Sequence, residues 1–166
     1  MRNAPRKVAL LGLCASVAMI LSYVEALLPP LFTAIPGIKL GLPNIVVIFV
    51  LYSFGVTEAI TVSLVRVFAV ALLFGNPVSL AYSVSGAALS LLGMALLKKT
   101  GLFSEVGVSM AGGILHNVGQ ILLAMFLLGT AELGYYLIIL AVTGTVSGVF
   151  IGLCGAFATK HIKFRH

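Results

Sequence analysis

Residues 35–45 read IPGIKLGLPNI, and two features of that stretch govern the reading of the whole chain. Four prolines, Pro29, Pro30, Pro36 and Pro43, together with Gly37 and Gly41, exclude a continuous helix between Glu25 and Asn44. On either side the sequence turns apolar, so the break separates two hydrophobic runs and isolates one lysine, Lys39, between them.

Outward from the break, the chain is 61% hydrophobic and 8% charged over 166 residues, with a mean hydropathy of +1.21. That leaves too little polar surface to cover a water-soluble globule of this size. Apolar runs near membrane-spanning length recur between short breaks rich in Gly, Pro or charge, as expected of an integral membrane domain. Six spans are predicted, at about 8–28, 42–56, 58–75, 78–97, 106–129 and 134–158, with 29–41 as a structured outer loop. The reading is an all-α, six-transmembrane-helix bundle forming a single membrane domain over 1–166. The first run follows Arg2, Arg6 and Lys7, like a signal peptide. It exceeds an h-region in length and lacks a small-x-small cleavage site, so it is read as a retained helix.

Ten Lys and Arg residues against four acidic ones give a net charge of +6. Arg2, Arg6 and Lys7 precede the first span, Lys98 and Lys99 follow the fourth, and Lys160, Lys163 and Arg165 follow the sixth. An even number of spans places all three clusters on one side, and the positive-inside rule makes that side, with both termini, cytoplasmic at the cell membrane. The basic balance then reflects orientation and contact with the lipid bilayer, and requires no nucleic acid.

Polar groups within the apolar runs mark the candidate site. Arg66 falls near the middle of EAITVSLVRVFAVALLF, where an unpartnered guanidinium costs at least about 2.5–3.5 kcal/mol. It must face a partner, with Glu25 the obvious one, or an anionic ligand. In the fifth run Gly113, His116, Asn117 and Gln120 recur at helical spacing, placing three hydrogen-bonding side chains on one stripe, either satisfied in the core or lining a pocket. Lys39 is either an interfacial, snorkelling lysine or a group on a loop over the outer mouth. Asn44 is either a helix N-cap or a ligand contact. Asn76, Tyr82 and Ser83, near the outer junction of the third and fourth runs, are weaker candidates, and Asn76 with Pro77 also reads as a turn. The candidate substrate-binding set is therefore Glu25, Lys39, Asn44, Arg66, Asn76, Tyr82, His116, Asn117 and Gln120. Such a pocket suits a small anionic or zwitterionic molecule.

Small residues also follow the helical period. Gly144, Gly148 and Gly152 form one stripe in the sixth run, suited to close helix packing within the bundle or to a docking face for a partner.

No enzyme chemistry is assembled. The chain has no aspartate, and its four glutamates are scattered, whereas holding Mg-diphosphate takes clustered carboxylates. GMALLKKT at 93–100 lacks the second glycine of a phosphate-binding loop and follows an apolar helix rather than a strand. Cys14 and Cys154 lie in apolar segments without metal-ligand spacing and read as free thiols. No cofactor and no metal site is expected.

Glu25, the prolines that follow it and PGIKLGLPN at 36–44, within six short spans, resemble the Gx transporter family. Its members are often labelled heptaprenyl diphosphate synthase component I and are similar to the substrate-binding S-components of energy-coupling factor transporters. The resemblance implies an S-component fold that captures a vitamin-like molecule from outside, beneath the loop after the first span. It further implies a transmembrane coupling protein, against which the loaded subunit topples, and two cytoplasmic ATPases that drive release inward. Glu25, Lys39 and Asn44 match the family stretch. The Ala-x-x-x-Ala docking pattern of S-component first helices is met here only in kind, by Gly12 with Ser16 and Ala18 with Ser22. The alternative function is a non-catalytic membrane scaffold or anchor for quinone, isoprenoid or electron-transfer machinery. A proton-coupled carrier using Glu25 and His116 is disfavoured, since neither inverted repeats nor paired broken helices are evident.

Overall fold

The computed structural model describes residues 4–27, 41–75 and 77–162, without the side chains of Ala4 and Phe74. Among them there are six α-helices and no strand: α1 (Ala4–Leu27), α2 (Asn44–Ser53), α3 (Val56–Phe74), α4 (Pro77–Thr100), α5 (Glu105–Leu128) and α6 (Tyr136–His161). A 3₁₀ turn, Glu132–Tyr135, leads into α6. The architecture is an all-α membrane bundle.

Five helices are long and apolar enough to cross a membrane. In each of those five, at most 39% of the spanning window is buried inside the bundle. Outward-facing side chains such as Leu13, Leu72, Phe126 and Ile138 are exposed, which places hydrocarbon against them. Hydroxyls within these helices donate back to carbonyls one turn earlier, as Ser22 does to Ala18 and Thr145 to Ala141, so few polar hydrogens face lipid.

The exception is α2, the helix within the short second run at 42–56, which covers only Asn44–Ser53. Pro43 precedes it, and Gly55, at φ 127°, separates it from α3. Its ten residues rise only about 15 Å, half the hydrocarbon thickness. Val46 to Leu51 are all buried, as befits a helix that is apolar all round and sits in the core. High hydropathy here reflects burial in protein.

Two contacts fix the helix directions. Lys7 near the start of α1 pairs with Glu58 in the first turn of α3. Lys98 near the end of α4 donates to the Leu51 carbonyl at the end of α2, its ammonium 5.0 Å from the Tyr52 ring centre. The starts of α1 and α3 and the ends of α2 and α4 therefore share one end of the bundle. Val106 beside Gly152 brings the start of α5 to the later half of α6, which ends at the same face with Lys160 and His161 in its last turn. Cations there lie close to the negative ends of the α4 and α6 dipoles.

Glycines set the closest approach. A Cβ on Gly148 would sit 2.6 Å from Met110 Cα, and one on Gly152 2.7 Å from Val106 Cα. Gly144 and Gly113 meet backbone to backbone. The Gly144–Gly148–Gly152 stripe is thus occupied by α5 inside the bundle rather than offered outward. By contrast, nothing lies within 4 Å of a Cβ on Gly12.

Replacing Gly148 with leucine should lower stability by about 1–3 kcal/mol or more, the usual cost of overpacking. Gly12→Leu should be nearly neutral. Thermal unfolding of both variants in one detergent checks the contrast, and equal loss would contradict the assigned helix faces.

Candidate functional site

The site is built at the end of the bundle opposite the Lys98 and Lys160 cluster. Glu25 lies in the last turn of α1 and is buried, and its Oε1 accepts a hydrogen bond from the Gly41 backbone N–H. Gly41 takes φ 82°, and an added Cβ would fall 2.9 Å from Asn44 Nδ2. Glycine is therefore required at the point where the chain turns into α2. Two residues of the broken stretch are thereby fixed: Gly41 is tied to Glu25, and Asn44 is the first residue of α2. Asn44 is not the N-cap; that position is held by Pro43 without a side-chain bond.

Arg66, from the middle of α3, is buried at 8% exposure, and its Nε has no hydrogen-bond partner. The Glu25 carboxylate is near enough to act on it electrostatically. Opposite them His116 of α5 lies against Gly86 of α4, where a Cβ would approach the imidazole Cε1 to 2.8 Å. The small residue at 86 lets the ring occupy the space between α4 and α5.

These groups line one cavity of about 30 Å3, walled by Ser22 and Glu25 of α1, Gly41, Asn44 of α2, Arg66, Val67, Val70 and Ala71 of α3, Gly75 at the end of α3, Ser79, Leu80 and Ser83 of α4, and His116 of α5. Space of that size holds about two waters. It reaches from mid-depth, at Arg66 and His116, to the helix ends at Gly75 and Ser79.

The candidate residues thus divide. Glu25, Asn44, Arg66 and His116 converge on the cavity. Asn117 instead donates through Nδ2 to the Leu140 carbonyl of α6 at 2.9 Å, so it joins α5 to α6. Gln120 is buried and Tyr82 half-buried, and neither lines the cavity. Lys39 and Asn76 lie outside the described residues. Of the four small residues of α1, Ala18 and Ser22 are buried while Gly12 and Ser16 are exposed; Ser22 belongs to the cavity wall. Ser79 and Ser83 of α4 also line the cavity. Among the described residues no group of three or more His, Cys, Asp or Glu could hold a metal ion.

The profile of the heptaprenyl diphosphate synthase component I family matches residues 14–158. The chain belongs to that family. The match reaches into all six helices, from within α1 to near the end of α6, and includes every residue of the cavity wall. No curated protein and no solved structure matches the chain.

Glu25→Gln keeps an acceptor for Gly41 but leaves Arg66 without its counter-charge. Breaking a buried pair from one side costs about 3–5 kcal/mol. The single variant should therefore be strongly destabilised, and Glu25→Gln with Arg66→Met should recover much of the loss. A double-mutant cycle read by unfolding in mixed micelles measures the coupling, and additive losses would show that the two groups act independently.

Proposed function

We propose that this family member is a substrate-binding membrane subunit, S-component-like, of an energy-coupling factor importer. It captures a small anionic or zwitterionic, vitamin-like molecule at the outer face of the cell membrane. The observation that carries the reading is the buried guanidinium of Arg66, its Nε unpartnered, in the wall of a cavity that also receives Glu25, Asn44 and His116. An ionisable group kept at membrane depth beside a polar hollow is a ligand anchor by default.

Orientation supports the same reading. The cation-rich end with Lys98, Lys99 and Lys160 faces the cytoplasm by the positive-inside rule, so the cavity opens outward. Because the cavity holds only about two waters, the greater part of a guest would lie beyond it, past the rim at Gly75 and Ser79. Energy for uptake would come from a transmembrane coupling protein and two cytoplasmic ATPases, with the exposed Gly12 and Ser16 face of α1 as the meeting surface.

The family's description favours a second reading: a non-catalytic membrane component that assists an enzyme of prenyl diphosphate synthesis. Catalysis would then belong to a partner carrying the clustered carboxylates that this chain, without aspartate, does not supply.

Purification from native membranes followed by native mass spectrometry separates the two. The importer reading expects a bound small molecule and copurifying ATPase subunits. Recovery of a prenyl-transferring enzyme with no small ligand would overturn it in favour of the scaffold.

A further inference from the structure

Resting on the ligand-binding reading, we infer that the cavity is a subsite for a carboxylate, and that the natural ligand is a monocarboxylic acid whose carboxylate enters between Arg66 and His116. Three observations select this group among small anions.

Size is the first. The cavity holds about two waters, and a planar carboxylate replaces two waters with its two oxygens. A phosphoryl group brings at least three oxygens in a tetrahedral array and would have to extend beyond that space, past the rim at Gly75 and Ser79.

The donor set is the second. Among the described residues one guanidinium faces the cavity, and its Nε–H lacks a partner. The other side-chain donors are hydroxyl, amide or imidazole groups on Ser22, Asn44, Ser79, Ser83 and His116. Ser22 Oγ already gives its hydrogen to the Ala18 carbonyl. Phosphate recognition ordinarily gathers several cations or a run of backbone N–H groups, whereas one guanidinium edge matches one carboxylate.

Charge is the third. Glu25 faces the same space and already balances Arg66, so each negative charge on an entering ligand is left uncompensated by this pair. In a medium of low dielectric that repulsion grows with ligand charge, which penalises a phosphate dianion more than a monocarboxylate. The apolar side chains of Val67, Val70, Ala71 and Leu80 complete the wall and suit the first carbons behind the carboxylate.

The test uses the full chain in nanodiscs of phosphatidylcholine. Thermal unfolding is followed against acetate, propionate, butyrate and hexanoate, their primary amides, inorganic phosphate and methylphosphonate, with sodium chloride matching the ionic strength. Carboxylates should raise the unfolding temperature saturably, and the amides and both phosphorus probes should bind at least about tenfold more weakly. Arg66→Met should lose the carboxylate response. Should that variant fail to fold, the wild-type ranking of carboxylate against amide and phosphonate still decides. Equal or stronger binding of phosphate or methylphosphonate, equal binding of the amides, or a wild-type response retained in folded Arg66→Met would each overturn the carboxylate assignment. So would the absence of any carboxylate response. If native mass spectrometry nonetheless shows a bound small molecule, the ligand-binding reading stands and only the carboxylate assignment falls; if no ligand is found either, both fall.

Discussion

A single arginine charge held within the membrane conditions the arrangement around it. Arg66 stays protonated even where desolvation is costly, so the fold must bring something to it. Glu25 is brought from the far end of α1, and its carboxylate also accepts the Gly41 N–H. One acidic side chain therefore couples three elements: α1, the turn into α2, and α3. The short, fully apolar α2 could not be positioned by its own polarity, since Val46 to Leu51 offer only apolar side chains. Its start is set by the tie at Gly41, and its other end by Lys98 on the Leu51 carbonyl.

The second half of the bundle is joined by different means. Between α4, α5 and α6 the backbones approach until glycine is needed at the seams, with Gly119 against Ser85, and Gly144 and Gly148 against α5. Ser85 Oγ donates to the Gly119 carbonyl at 2.6 Å, and Asn117 reaches the Leu140 carbonyl. Where lipid provides no hydrophobic drive for association, such close packing and interhelical hydrogen bonding take its place.

Much of this was readable from the residues because the membrane narrows the alternatives. Long apolar runs between breaks reveal helices, and a charge within one, such as Arg66, has to point inward. The same reasoning left open whether Glu25 or a ligand would meet it. The burial of α2 in protein was not legible, since hydropathy records transfer from water and is blind to whether the new surroundings are lipid or protein. Asn117 and His116 face different neighbours for a geometric reason. Asn117 follows His116 by one residue, about 100° around the helix, and α5 is buried on two sides, so neighbouring polar residues serve different interfaces. Ser22 was read with Ala18 as part of a small-residue docking pattern, because a small hydroxyl that closes a helix contact and one that lines a hollow have the same spacing.

The two halves meet unevenly, and the unevenness bears on function. Between α3 and α4 an apolar groove of about 320 Å3 runs from Val56 and Ile60 to Val84 and Leu92, so those helices do not interlock as α5 and α6 do. On the α1 side, α3 is held by charge: Lys7 with Glu58 at one end and Glu25 beside Arg66 towards the other. A ligand that alters the charge balance at Arg66 therefore acts on the more loosely joined part of the bundle, while the glycine seams keep α4 to α6 as a fixed wall. On the ligand-binding reading, occupancy would be felt first in the relation of α1 to α3. The outer face of α1, with Gly12 and Ser16 exposed, is then where a partner could sense whether the cavity is filled.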